Sequence, residues 1–264
     1  MTQDAKPRRR FLQALAIVPA STLAVGMAAT GCTNAADGGA ARAAKAYEPT
    51  YFTKPEWDFI VAAVDHLIPA DQYGPGAIEA GVPEFIDRQM ETPYGHGKLW
   101  YMQGPFHPDV APELGYQLNQ NPREVYRHGI EACDAWCTKT HGKRYAELDK
   151  PMQEQILKDL QAGKIEFDTV PARTFFSFLL ANTKEGFFAD PMYGGNKNMV
   201  GWKMVGFPGA RGDYMDWADQ PNVKYPYGPV SISGKRGKRW RSRKTKWMRC
   251  WWALAGPAPS WARN

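Results

Sequence analysis

Thr53-Lys-Pro-Glu-Trp-Asp-Phe-Ile-Val-Ala-Ala-Val-Asp-His-Leu-Ile-Pro69 is the stretch whose reading decides the fold. Thr53 and Glu56 form a capping-box pattern, with proline in the first turn. Trp57, Ile60, Val61, Val64, Leu67 and Ile68 then recur at three- to four-residue spacing, the signature of an amphipathic helix. Pro69 ends it. Working outward, a Gly/Pro loop at 73–76 leads to a second helix carrying Val82, Phe85, Ile86 and Met90. Residues 92–120 read as irregular. Asn121-Pro-Arg-Glu124 opens a third helix running to about Thr140. Asp149-Lys-Pro opens a fourth, with Ile156, Leu157 and Leu160 on one face and Gly163 as its stop. Thr169-Val-Pro opens a fifth through Phe175–Leu180. With no convincing alternating strand and no repeat, the body is predicted to be all-α with long ordered loops.

From Gly186 the character changes. Phe187-Phe-Ala-Asp-Pro-Met-Tyr-Gly-Gly-Asn196, Met199-Val-Gly-Trp-Lys203 and Gly206-Phe-Pro-Gly-Ala-Arg211 are followed by Asp213-Tyr214 and Tyr225-Pro-Tyr-Gly-Pro229. This stretch has too much Gly and Pro for regular elements and too many rings for disorder. Its rings must be buried against something. Either the segment wraps its own helical core, or part of it forms a partner surface, where Tyr, Trp, Phe, Met and Arg are enriched. Asp190, before Pro and a Tyr-Gly-Gly turn, is expected to form an Asx turn rather than to catalyse. Arg211 could pair with Asp213 or reach a partner carboxylate.

The chain has 264 residues, enough for one domain with appendages and a sizeable core. Its 44% hydrophobic and 23% charged residues exclude a wholly disordered chain. A mean hydropathy of −0.51 excludes a multi-span membrane protein. The net charge of +6 is misleading. Residues 47–234 carry 17 basic and 25 acidic side chains, whereas 235–264 hold ten Lys/Arg and no acid. A pI near 9.0 is therefore no argument that the folded body binds nucleic acid.

Residues 1–32 read as an export signal. Arg8 and Arg9, followed by Phe11 and Leu12, match the twin-arginine pattern, which carries folded cargo. The weakly apolar run 14–29 is too short and too poor in large side chains for a stable span of about 20 residues. Ala29-Thr-Gly-Cys32 resembles a lipoprotein cleavage box, making Cys32 the expected lipidated N-terminus. The alternative is ordinary cleavage near Ala35, with Cys32 lost. Residues 33–46 read as a flexible tether, and 47–234 as the helical domain.

Patterns for c-type haem attachment, paired C-x-x-C, H-E-x-x-H, phosphate loops and G-x-S-x-G are all missing from the sequence. His66 on the first helix reads as a packed or surface histidine. His96 and His107 share a loop region without a metal-ligand pattern. Cys133 and Cys137 fall one helical turn apart on one face. They can be bonded or remain separate buried thiols; one turn places Cα–Cα near the upper limit for a disulfide.

The leader, the Phe52…Pro69 start, Gly81-Val-Pro-Glu-Phe-Ile86 and the three aromatic–glycine motifs together resemble the small subunit of gluconate 2-dehydrogenase, subunit 3, from about residue 45 to Gly234. The resemblance implies a non-catalytic subunit, with no cofactor in this chain. It implies a large partner of the glucose-methanol-choline type that carries FAD and oxidises a sugar or sugar acid. A multi-haem cytochrome c subunit would receive the electrons. It further implies periplasmic location, with the twin-arginine signal of the small subunit exporting and stabilising the folded large one. Phe187, Phe188, Asp190, Tyr193, Gly194, Gly195, Asn196, Trp202, Phe207, Pro208 and Arg211 are the expected partner-contact or scaffold residues. Two other classes remain open: an independent enzyme, for which no catalytic set is found, and a stand-alone periplasmic lipoprotein or binding protein.

Residues 235–264 depart from the family pattern. They hold five of the ten Trp, and read as a disordered or frame-shifted extension, or else as a tail touching anionic lipid or nucleic acid. A one-base shift near codon 235 that restores a family-like ending would decide between them.

Overall fold

The structure, a computed structural model, describes residues 47–237 apart from 109, 221 and 224. Arg8, Arg9, Phe11, Leu12, Cys32 and residues 238–264 lie outside the described residues, and with them the export, lipidation and tail expectations. The architecture is all-α: α1 Lys54–Leu67, α2 Val82–Met90, α3 Pro122–His141, α4 Lys150–Ala162, α5 Ala172–Phe188 and α6 Val200–Val205. Among the described residues, β-type pairing is confined to isolated bridges. None of these helices is long and apolar enough to cross a membrane.

Local chemistry explains the helix starts. Glu56 accepts the Thr53 N–H and hydroxyl, both at 2.8 Å, at the head of α1. At the head of α3 the pair is reciprocal: the Asn121 N–H donates to Glu124 and the Glu124 N–H donates to Asn121. Asp149 Oδ1 caps α4 through the Met152 N–H at 3.3 Å, and Gly163 ends it in the left-handed region.

α5 is the central element and packs against the other five helices. Its Phe175 and Leu179 are fully buried, together with Phe59, Ile60 and Val64 of α1, Ile86 of α2, Tyr126 and Ile130 of α3 and Leu160 of α4. Phe59 was not among the predicted apolar positions of α1, yet its ring lies 4.6 Å from that of Tyr145 and 5.9 Å from that of Phe175. The core also holds a satisfied polar network. The Tyr126 hydroxyl donates to Asn182 Oδ1 at 2.9 Å, and Asn182 Nδ2 donates to Glu185 at 2.9 Å. His66 meets Gln153 at 2.9 Å, which makes it a packing histidine.

Two expectations are corrected. α5 does not give way near Gly186 but continues through Phe187 and Phe188. Gly186 is tolerated inside the helix because α5 crosses α2 there; a Cβ would sit 2.8 Å from the Phe85 ring. Nor is the following segment free of regular structure. It contains α6 and, among the described residues, three 3₁₀ turns, Pro191–Tyr193, Lys197–Met199 and Met215–Trp217. These elements are too short to leave a periodic pattern.

The chain enters the fold through a strap. Asp87 of α2, with no exposed surface, accepts five hydrogen bonds of 2.7–3.0 Å. The donors are the Tyr47 hydroxyl, the Thr50 N–H and hydroxyl, and the Tyr51 and Phe52 N–H groups. Burial alone would raise the Asp87 pKa. The Thr50 and Phe52 N–H groups and the Tyr47 and Thr50 hydroxyls outweigh it and hold the carboxyl below its ordinary value. Burial and the same carboxylate push the Tyr47 hydroxyl up to about 12.

Candidate partner interface

The segment after α5 is organised by three side chains. Asn196 adopts a left-handed conformation, φ 44°, and both ends of its amide are used. Nδ2 donates to the Ala189 carbonyl and Oδ1 accepts the Gly201 N–H, each at 2.9 Å. Trp202 is 6% exposed and its Nε1 donates to the Phe188 carbonyl at 2.6 Å. This pins α6 against the end of α5. Gly195 lies directly on the backbone of Gly186, where a Cβ would drive into the Gly186 carbonyl oxygen.

Asp190 forms the Asx turn that its sequence context predicts, accepting the Met192 N–H at 3.0 Å. It also reaches across 41 residues. Its Oδ1 accepts the Ser231 hydroxyl at 2.6 Å, and its Oδ2 accepts the Ile232 N–H at 2.7 Å. Burial would raise its pKa; the Ser231 hydroxyl and the Met192 and Ile232 N–H groups prevail and hold it below the ordinary value. Ser231 and Ile232 carry no local signal of this role. Nothing in the spacing links them to Asp190.

This clamp closes the base of an excursion. The Ala210 N–H donates to the Val230 carbonyl at 2.7 Å, the Val230 N–H to the Pro208 carbonyl at 3.1 Å and the Gly237 N–H to the Pro229 carbonyl at 2.8 Å. Residues 210–229 thus form an arm with a fixed base. Arg211 does not pair with Asp213. It donates to the Gly228 carbonyl and lies over the rings of Tyr225 and Tyr227, at 5.4 and 5.6 Å. Its Nε is buried without an acceptor.

The expected contact residues therefore divide into two classes. Phe187, Asp190, Gly194, Gly195, Asn196 and Trp202 are buried and serve as scaffold. Phe188, Pro208 and Arg211 are half-buried, while Tyr193 and Phe207 are each 48% exposed. Tyr193 and Phe188 line a shallow depression with Phe85, bordered by Gln89 and Glu185. Glu84 pairs with both Arg88 and Lys197.

The other candidates resolve into structure. Cys133 and Cys137 are separate buried thiols. A hydrogen bond between the two side chains, then burial, hold the Cys133 thiol protonated. His96 meets Arg123 at 3.1 Å and not His107. Among the described residues, no group of three His, Cys, Asp or Glu side chains is placed to hold a metal ion.

No match was found among curated proteins or solved structures. Residues 54–209 match the family described as gluconate 2-dehydrogenase subunit 3. The matched span is narrower at both ends than the 45–234 likeness read from the motifs, and it stops at the base of the arm. It covers more than half of the chain and takes in the helical core, the Asn196 turn and the Trp202 anchor, so the chain belongs to the gluconate 2-dehydrogenase subunit 3 family.

Proposed function

We propose that this chain is the non-catalytic small subunit of a periplasmic, FAD-dependent sugar or sugar-acid dehydrogenase complex. The observation that carries the reading is the family match over 54–209, which includes the scaffold that presents Tyr193 and Phe207 to solvent. Catalysis belongs to a flavoprotein partner of the glucose-methanol-choline type, which holds the FAD. A multi-haem cytochrome c subunit takes the electrons onward. The Arg8-Arg9 leader directs twin-arginine export, with the folded flavoprotein as passenger. Lipidated Cys32 attaches the assembly to the membrane through the 33–46 tether, since each buried CH₂ of an acyl chain contributes about 0.8 kcal/mol.

The test is a pull-down of the tagged full chain from detergent-released membranes of its host. A yellow flavoprotein with dye-linked sugar dehydrogenase activity is expected to accompany it. Arg8→Lys with Arg9→Lys is expected to leave that partner in the cytoplasm. A folded, colourless chain recovered alone overturns the reading and favours a stand-alone lipoprotein.

A further inference from the structure

We infer that the arm, residues 210–229, with its base is the main surface by which this chain grips the dehydrogenase subunit, and that it fits a face with an apolar centre and a cationic rim. This rests on the partner reading above and adds the place and chemistry of the contact.

The arm and its base carry a set of exposed apolar side chains. Phe207, Tyr214, Met215, Val223, Tyr227 and Ile232 are 40–78% exposed, and all lie on the arm or its base. Isolated exposed side chains need no explanation, but a group carried on one small element marks an interaction site. The arm is also held in one shape. The Tyr214 hydroxyl donates to the Gly209 carbonyl at 2.9 Å. Tyr225 packs edge-on against Tyr214, Trp217 and Tyr227 at 5.5–5.7 Å. Arg211 ties both ends of the ring cluster to the Gly228 carbonyl, and Asp190 fixes the base. Rigid aromatic and methionine anchors lose little entropy on binding, which is how hot spots act.

Charge sets the partner's chemistry. Within the arm the acids Asp213, Asp216 and Asp219 outnumber the bases Arg211 and Lys224. All three carboxylates are on exposed residues. Arg211 is engaged with the arm's own rings. The tip therefore presents apolar side chains among negative charges, and a partner must meet them with an apolar centre and cations around it. The chain's own basic, Trp-rich residues 238–264 have similar chemistry and follow Gly237, whose N–H meets the Pro229 carbonyl, so they are one rival occupant. A second copy of the chain is the other.

The full chain and its flavoprotein are co-expressed, and flavin recovered on the tagged chain is measured against salt. Met215→Asp with Tyr227→Asp is expected to cut flavin recovery about ten-fold or more, with the helical circular-dichroism signal unchanged. Met215→Ser, a milder change at an exposed side chain, gives the same direction if the double variant misfolds. Asp213→Asn, Asp216→Asn and Asp219→Asn together are expected to weaken binding and flatten its salt dependence. Leu99→Asp with Tyr101→Asp, on the other exposed apolar loop, leaves recovery unchanged. If the wild type carries flavoprotein and the arm variants do so equally, the arm inference fails while the partner reading stands. If the wild type carries none, both fail. Deletion of residues 238–264 that exposes the arm to hydrogen exchange without changing partner binding identifies the tail as occupant and overturns the inference. So does a homodimer in size-exclusion chromatography that the arm variants dissolve.

Discussion

Between Thr53 and Phe188 each helix is begun and ended by its sequence neighbours. Between Ala189 and Gly237 the chain is held largely by single side chains reaching groups up to 42 residues away. Glu56 caps from three residues off and Asn121 exchanges with Glu124, whereas Asp190 grips Ser231 and Ile232, and Trp202 grips the Phe188 carbonyl. The helices of the first region bury Phe59, Tyr126, Phe175 and Phe187. The second leaves Phe207, Met215 and Tyr227 in water on a braced frame. A region stabilised by distributed packing tolerates local loss. One held by a few anchors is rigid while they hold and opens as a unit when one fails.

Glycine substitution is expected to separate the regions most strongly. Gly195→Ala forces a methyl into the Gly186 carbonyl, backbone against backbone. A cost of about 4 kcal/mol or more is expected, read as loss of soluble protein or a large fall in the denaturation midpoint. Gly142→Ala, at the left-handed C-cap of α3, has open space around the new methyl. It costs only about 1 kcal/mol, from the backbone conformation alone. Equal costs would break the contrast.

Asp87→Asn comes next. An amide cannot accept all five donors, and a stability loss of about 2–3 kcal/mol is expected in chemical denaturation, with faster proteolysis near residue 47. The Asp87 pKa lies below its unfolded value of about 3.8, so its contribution is complete above that pH. It fades as pH falls through the lower, folded pKa. The wild type should lose stability below about pH 4, and the Asn variant should show a flatter acid limb.

Asn196→Ala removes two buried hydrogen bonds and puts Ala in the left-handed region. About 2 kcal/mol is expected, with faster hydrogen exchange at the Gly201 amide. Asp190→Asn is milder globally, about 1 kcal/mol, but selective. The Ile232 and Ala210 amides should exchange faster while those of α1, α3 and α4 keep wild-type protection. Uniform loss across the molecule would contradict the division into two regions.

The helical half was legible because its signals are local. The Thr53, Asn121 and Asp149 caps, the Gly163 stop and the three- to four-residue apolar spacing each act within one or two turns. Helix α5 runs on past the Phe175–Leu180 stretch because Gly186 is accommodated within it. Its tolerance comes from contact with Phe85, about a hundred residues away, which no window can reveal. In the second half the motifs located the site, but not its division of labour. Phe187 and Phe188 are adjacent aromatics, and only the path of α5 buries the first and leaves the second half-buried. Ser231 and Ile232 were invisible as anchors for the same reason. Tyr193 and Phe207 read like their buried neighbours until α6 is placed.

The most direct test is hydrogen-exchange mass spectrometry of the full chain, alone and with the proposed flavoprotein partner. The account predicts protection gained within residues 192–232, with the amides of α3 and α4 unchanged. Protection that falls on α3 and α4, with 192–232 exchanging as in the free chain, would contradict it.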